Sequence, residues 1–473
     1  MKLLAENIDA CDVSQTIATL IANHDPSLML VGVDYYNNDT HIKDRQIWYY
    51  EDGQKKIDTE ATNHRVSHNW HKILVDQKVA YLLGRPPLIS AEDEQFAKHL
   101  NALLDETWDD QLQELAKNAS NKGVEWLMPF IDGVGNFRYI IIPAEQCIPI
   151  YETDYEEELV AMLRYYPAVV DGEQKIRAEW WTADGVSTYI EAEGGTYKLE
   201  SEDGHFLQNR APMGWGRVPF VEFPNNVDRF ADLKYYKEQI DVYDIIVSDL
   251  ANDLTDVQKL IFVLKGYGGQ NLAEFLQNLR YYRAIQVDPE AGAGVETLSA
   301  DPPITAIDSS LDRLEENIYL FGQGVNTKTD KFGSAPSGIA LKFLYTLLDL
   351  KSNIMARRFS VAIKTFCWFA AKYLEIKGVG TFDPHGVKIT YNKSLLINDL
   401  EISQIAESSM GVISQETIVA HHPWVDDVQA ELKRLQAEQE SRVDLSGYLQ
   451  EGDEQEGDEQ EGDGESEPPG AGE

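Results

Sequence analysis

Apolar positions along this chain recur at helical spacing in several long runs, broken by one region where they alternate every second residue. Val13, Ile17, Leu20 and Ile21 lie about one turn apart, and the run stops at Asp25-Pro26. A polar, Tyr-rich stretch follows and reads as loop. Val66, Trp70, Ile73, Leu74, Val79 and Leu82 predict a helix over 66–83, closed by Gly84 and by Pro86-Pro87. Another is expected from Glu92 to Lys117. Between 123 and 223 the pattern changes. Trp126–Phe130, the Asp132-Gly133 turn and Phe137–Ile142 read as a hairpin, and short strands fit 161–166, 178–182, 187–191 and 196–199. This is an antiparallel β region within an α+β, mainly α, chain.

The C-terminal half is dominated by long helices. Tyr236, Ile240, Tyr243, Val247, Leu250, Leu254, Val257, Ile261 and Leu264 make one stripe over 233–264, nearly 50 Å at about 1.5 Å per residue. Asp241, Asp244, Asp249, Asp253 and Asp256 load its other sides. A compact segment over 265–308 comes next, with a short helix at 272–280, a strand at 284–287 and an exit at Pro302-Pro303. Helix resumes at 309–321, with Ser309 as the expected N-cap. A Gly-rich polar loop, 322–338, leads into a helix over 339–377, about 55 Å by the same rise. Globular helices average roughly 11–12 residues, so these are built to span something. A strand at 387–391 and helices at 398–411, 414–420 and 425–442 complete the pattern.

The 473 residues suffice for roughly two to four domains. An apolar content of 43% fits a folded protein. The formal charge is −39, of which 11 negative charges lie in residues 451–473, leaving −28 for the rest. That excess repels nucleic acid and disfavours a sequence-reading DNA binder, which gains affinity through Lys and Arg. A wall past which DNA slides without sticking remains compatible. The Glu-Gly-Asp-Glu-Gln repeats of the tail (446–473) cannot form a core and read as disordered. Cys11, Cys147 and Cys367 are too few and too scattered for a disulfide framework or a zinc cluster. The N-terminal stretch lacks the uninterrupted apolar run of a signal peptide, so none is expected. The apolar stretch 359–374 is broken by Lys364 and Lys372, so no membrane span is expected.

Chemical motifs are sparse. His64, His68 and His71 share a helical face, but no base stands where a zinc protease needs one; surface or interface histidines are the expectation, and no metal. Gly333 and Gly338 begin a phosphate-loop spacing, yet Ile339 and Ala340 stand where Lys and Ser or Thr are required. No catalytic constellation and no cofactor site emerge. The loop itself is notable for Lys328 and Lys331, positive charges in an acidic chain.

An ordered set of segments carries a resemblance. It comprises Asn63-His-Arg-Val-Ser-His-Asn-Trp, Ile73-Leu-Val-Asp-Gln-Lys-Val-Ala-Tyr-Leu-Leu-Gly-Arg-Pro-Pro87, Gln239-Ile-Asp-Val-Tyr-Asp-Ile-Ile-Val-Ser-Asp-Leu-Ala-Asn-Asp-Leu254 and Val263-Leu-Lys-Gly-Tyr267. Leu311-Asp-Arg-Leu-Glu-Glu-Asn-Ile-Tyr319, Ser337-Gly-Ile-Ala-Leu-Lys-Phe-Leu-Tyr345, Ile413-Ser-Gln-Glu-Thr417 and Pro423-Trp-Val425 follow. Over most of 60–435 the chain resembles the portal proteins of tailed bacteriophages, of the type found in long-tailed phages of Gram-positive hosts. The resemblance implies a non-enzymatic ring of about twelve copies at one capsid vertex. It would pass double-stranded DNA without sequence specificity and meet the terminase large subunit, a head–tail connector, scaffold and the major capsid protein.

By the same resemblance, an N-terminal arm (1–24) precedes a wing (25–232). Helices 233–264 and 309–321 form the stem, and 265–308 a clip where Tyr267, Arg280 and Arg283 are docking candidates. Residues 322–338 become a tunnel loop whose Val325, Asn326, Thr327, Lys328, Lys331 and Phe332 face DNA. The 339–377 helix joins wing to crown (385–445), and the five stem aspartates are candidates for lining the channel. The alternatives are a non-channel virion or scaffold-associated protein, and an enzyme acting on nucleotides through 322–338.

Overall fold

The computed structural model describes residues 3–4, 13–59, 61–152, 158–208, 210–257, 261–265, 294–298, 303–328, 338–393, 405–420, 422, 425, 428 and 430–438. They divide into two units, Met1–Ala335 with Lys342–Leu395, and Pro336–Leu341 with Leu396–Glu473. After a short strand β1 (Leu3–Leu4) come α1 (Val13–Asn23) and α2 (Ser27–Tyr36). The stretch expected as loop therefore contains a helix, and then a hairpin, β2 (Trp48–Glu51) with β3 (Gln54–Ile57). Asp52 and Gly53 both take positive φ at its tip, the conformation that two-residue hairpins require.

The next helix, α3 (Trp70–Leu83), begins one turn later than periodicity suggests, because residues 62–69 take no regular secondary structure. Strand β4 (Leu88–Ala91) follows. The single helix expected over 92–117 is two, α4 (Glu94–Leu103) and α5 (Trp108–Lys122). Asp93 caps α4 by accepting from the Gln95 and Phe96 amides. Leu104 is extended, and the Asp105 carboxylate accepts from the Thr107 amide at 3.0 Å and hydroxyl at 2.6 Å. That local Asp bond competes with the helix and breaks it.

The β region holds more strand than expected. β5 (Val124–Ile131) pairs with β6 (Phe137–Ile142). A sheet ordered β1-β7-β8-β9-β10-β11 is built from β7 (Cys147–Tyr151), β8 (Leu159–Val170), β9 (Glu173–Trp181), β10 (Gly185–Glu191) and β11 (Tyr197–Gly204). Asp171 and Gly172, both at positive φ, turn β8 into β9. The small pair β12 (Phe206–Gln208) and β13 (Ala211–Met213) follows, and β14 (Val221–Pro224) adds to the free side of β5. Ile17 of α1 is fully buried against Leu163, Ala178 and Trp180 of the large sheet.

Helix α6 (Lys237–Val257) is shorter than the stripe over 233–264, about 31 Å. Its supposed end, Ile261–Lys265, is instead strand β15, antiparallel to β16 (Gly294–Leu298). Ile-Phe-Val-Leu has the residue types that prefer a pleated surface. Helix α7 (Ile304–Phe321) starts right after Pro303, so Ser309 is not its cap but an interior residue donating to the Thr305 carbonyl. Helix α8 runs unbroken from Gly338 to Ile376, about 58 Å. Its C-terminal half is the spine of the largest core, where Phe359, Ile363, Phe366 and Phe369 meet Trp108, Phe137, Trp215 and Phe223. Strand β17 (Val387–Thr390) pairs with β4, which ties 387–390 to the first unit rather than to the crown. In the second unit, helix Gln415–Ala420 is capped by Ser414, whose hydroxyl accepts from the Thr417 amide. The expected features at 272–280, 284–287 and 451–473 lie outside the described residues.

Candidate functional site

One side of α6 is bonded along its length to residues 35–68. The Tyr35 hydroxyl donates to Asp241, which also accepts from Lys237 at 2.6 Å. Asp244 is wholly buried and accepts from Thr40 Oγ1 and His68 Nδ1, each at 2.7 Å. The Ser248 hydroxyl accepts the Val66 amide at 3.0 Å, Asn252 accepts the His64 amide at 2.7 Å, and Asp249 pairs with Arg45. Positions 241, 244, 248 and 252 recur at helical spacing, so one stripe of α6 serves as the polar rail for residues 35–68. The expectation that these aspartates line a channel is corrected for Asp244, which has no surface to offer, while Asp241 keeps a partly exposed side chain bonded to Tyr35 and Lys237. Asp253 is exposed and the Asp249 side chain half exposed; the Asp256 side chain is outside the described residues.

A neighbouring face of α6, with the residue just before the helix, is apolar. Tyr236, Ile240 and Tyr243 pack with Leu74 and Trp70 of α3 and with Ile318 and Tyr319 of α7. Buried among them, His71 meets the Tyr236 hydroxyl at 2.7 Å, and burial lowers its pKa to about 4, keeping the ring neutral. The three candidate histidines are thus contacts to α6, at Thr255, Asp244 and Tyr236 respectively.

At the end of α7 the Gly-rich loop begins against α3. A Cβ on Gly322 would come within 2.5 Å of Leu74 Cδ1 and 2.7 Å of the Ile318 carbonyl. This glycine serves close approach, not the mobility that composition suggests. Gln77 then clasps the Val325 backbone, its amide donating to the carbonyl at 2.8 Å and accepting the N–H at 3.0 Å. Val325 is buried with Tyr81 and Leu348, so its assignment as a DNA-facing residue is corrected: it anchors the loop. Asn326 donates to Glu315 at 3.2 Å, and Lys328 Nζ pairs with the same carboxylate at 2.6 Å while its side chain stays largely exposed. That hydrogen bond raises the Lys328 pKa. Thr327 is exposed. Lys331 and Phe332, like Tyr267, Arg280 and Arg283, lie outside the described residues.

Beneath this root sits a buried charge cluster that periodicity does not single out. Lys78 of α3 bonds Ser120 Oγ (3.1 Å), Asn225 Oδ1 and Asp232 Oδ2 (3.1 Å). Lys351 of α8 reaches the same Asp232 oxygen at 2.9 Å and the Gly322 carbonyl at 2.9 Å. Burial alone would raise the Asp232 carboxyl, but Lys351, Lys78 and Asn225 outweigh it and hold it well below the carboxylate range. Burial lowers Lys78 to about 8 against the pull of Asp232, a carboxylate it must share. The second ammonium is tolerated because it ends on the C-terminal carbonyl of α7, the negative end of that helix dipole. The loop root, α3, α8 and the segment just before α6 are joined at one point. Lys78 did leave a sequence signal: it lies one turn from Leu74 and from Leu82, on a buried face where a lysine demands a counter-charge.

Among the described residues, no group of three or more His, Cys, Asp or Glu could hold a metal ion, and no helix is long and apolar enough to cross a membrane. Comparison with known proteins adds what the geometry alone does not name. Residues 22–444 match the family model for phage portal protein, SPP1 Gp6-like. The chain is 37% identical over 471 residues to the portal protein of Bacillus phage SPP1, covering 97% of this chain and 93% of that one. It is 34% identical over 437 residues to the portal protein of Clostridium phage phiCD119, covering 87% and 92%. Among solved structures, a chain in the neck of a native GTA particle computed with C12 symmetry aligns over 75% of this chain and 89% of its own, at 11% identity and a TM-score of 0.45. With one family model running from α1 to beyond the last described helix, and relatives matched nearly end to end, the chain belongs to the SPP1 Gp6-like family of phage portal proteins.

Proposed function

We propose that this chain assembles as a non-enzymatic ring of about twelve copies in the host cytoplasm and stands at one capsid vertex as the channel for double-stranded DNA. The terminase large subunit would dock on it during packaging and a head–tail connector afterwards, with scaffold and major capsid protein around it; the clip candidates Tyr267, Arg280 and Arg283 would serve the first two. The observation that carries the reading is the loop root. Gly322, Gln77 and Val325 pin the start of the 322–338 segment, and the chain then turns outward at Thr327 and Lys328. A pinned base with an exposed cationic continuation suits weak, exchangeable contacts to a passing phosphate backbone, without base readout. The paired stem helices α6 and α7, leading into the β15–β16 strand pair, support the stem and clip assignment.

Electron microscopy of the purified chain tests the assembly: rings with a central hole are expected, and a lone monomer refutes the channel. A packaging assay with Lys328→Glu and Lys331→Glu tests the loop. Rings should persist while packaged DNA falls, and undiminished packaging removes the loop from the mechanism. Lys328→Gln separates loss of the cation from repulsion against Glu315.

A further inference from the structure

From Leu350 to Leu374, α8 carries Lys351, Arg357, Arg358, Lys364 and Lys372 and no acidic residue, in a chain with 80 acidic against 41 basic side chains. Lys351 is spent on the buried cluster. The solvent side of α8 presents Leu350, Ile354 and Val361, exposed by 54%, 49% and 62%, together with exposed Arg357 and Lys364. These positions follow i, i+4, i+7, i+11 and i+14, a single straight stripe of about 21 Å. Among the described residues neither cation has a carboxylate partner.

Helix α6 bears a stripe of opposite sign at i, i+4, i+7, i+11 and i+15: Glu238, Val242, Ile245, Asp249 and Asp253. Val242 and Ile245 are 44% and 43% exposed, and Glu238 and Asp253 are exposed without an ion-pair partner among the described residues. By helical geometry this stripe lies on the far side of α6 from Ile240 and Tyr243, which face the core. Each stripe borders a concavity. Ile245, with His41, Ile42, Arg45 and Asp241, lines one of about 420 Å³, and Ile354, with Tyr235, Leu320 and Phe321, helps line one of about 360 Å³.

Identical copies around an axis touch through two different patches that must fit each other. An apolar row edged with cations and an apolar row edged with anions meet that condition within one chain. Leu350, Ile354 and Val361 also speak for protein rather than DNA as the occupant, since phosphate backbones are held by cations and polar groups. We propose that the α8 stripe of one subunit seats on the α6 stripe of the next and forms the ring seam. The proposal rests on the ring reading above and specifies which faces meet.

The test uses the full chain, followed by sedimentation and electron microscopy. Arg357→Glu with Lys364→Glu, and separately Glu238→Lys with Asp253→Lys, should each raise the concentration for half-assembly at least about tenfold, because like charges then face each other. All four changes together should restore assembly to within about threefold of the unmodified chain. Unchanged melting and circular dichroism identify folded variants. As a second measurement, Ile245→Cys and Ile354→Cys, each in a Cys11→Ser background with Cys147 and Cys367 buried, should lose maleimide reactivity on assembly. Reversed proteins that assemble normally, folded fourfold variants that do not recover, or cysteines that stay reactive in rings overturn the seam. Intact rings of the α8 variant that retain less DNA would reassign the stripe to the channel. An unmodified chain that never assembles removes the ring itself.

Discussion

Replacing Asp232 by Asn withdraws one negative charge from between two lysines that have little access to water. The side chains of Lys78 and Asp232 are 1% and 4% exposed, and that of Lys351 11%, so solvent screening gives little relief. Removing one partner of a buried ion pair costs about 3–5 kcal/mol. Lys78 limits its own share. Its pKa is already lowered from 10.5 to about 8, and it can shed its proton. Full neutralisation at pH 7 costs on the order of 5 kcal/mol, and the lowered pKa means that most of this is already present in the unmodified chain. Lys78 therefore adds the smaller part, on the order of 1 kcal/mol, and Lys351, which loses its carboxylate partner, supplies the rest. With Lys78 neutral in the fold and charged when unfolded, the unfolded state binds more protons. The unmodified chain holds the proton up to about pH 8, so the variant's deficit must shrink as pH rises from 7 to about 9 and stay level above that. Urea titration followed by tryptophan fluorescence at pH 7 and pH 9 measures both quantities. A deficit below about 1 kcal/mol at pH 7, or one that grows at pH 9, refutes the reasoning.

Three further outcomes follow from the same region. His71 has a folded pKa of about 4 against 6.5 unfolded, so its contribution is present above 6.5 and lost as pH falls towards 4, by up to about 3 kcal/mol. His71→Gln should flatten that part of the acid stability curve, and an identical slope in both proteins would contradict a buried neutral ring. Gln77→Ala strips both partners from the buried Val325 backbone, about 1–3 kcal/mol locally, and should speed amide exchange at Val325 by roughly tenfold or more. Gly322→Ala forces a methyl onto Leu74 and the Ile318 carbonyl, so the melting temperature should drop by the equivalent of about 1–3 kcal/mol; an unchanged melt would mean that the α3–α7 contact yields freely.

Periodicity served well wherever a helix has one buried face. α3, α7 and α8 lie close to their expected spans, since Leu74, Leu82, Ile318, Phe359 and Phe366 repeat at helical spacing against a fixed core. It failed where local chemistry intervenes. Asp105 breaks α4 from α5, and the apolar stripe of α6 continues without interruption into Ile261–Lys265, which is strand because it pairs with 294–298. No local signal marks that change, as the partner lies some thirty residues away. The aspartates of α6 were visible as a charged set, but their use was not. Whether such a residue meets water, a wing residue or another subunit depends on what crosses that face. Thr40, Arg45 and His68 come from a stretch of short turns, a hairpin and irregular chain that has no helical periodic signature. Glycine at 322 and 324 looked like slack and is tight packing, a distinction that only the position of Leu74 reveals.

The polar rail between residues 35–68 and α6 has a mechanical consequence. A rod held by Tyr35, Thr40, Arg45, His64, Val66 and His68 over some four turns cannot spin about its own axis or slide without shearing several of those bonds together. Torque or thrust applied at the β15–β16 end is handed to the outer body in parallel rather than concentrated at a hinge. The molecule behaves there as a braced strut.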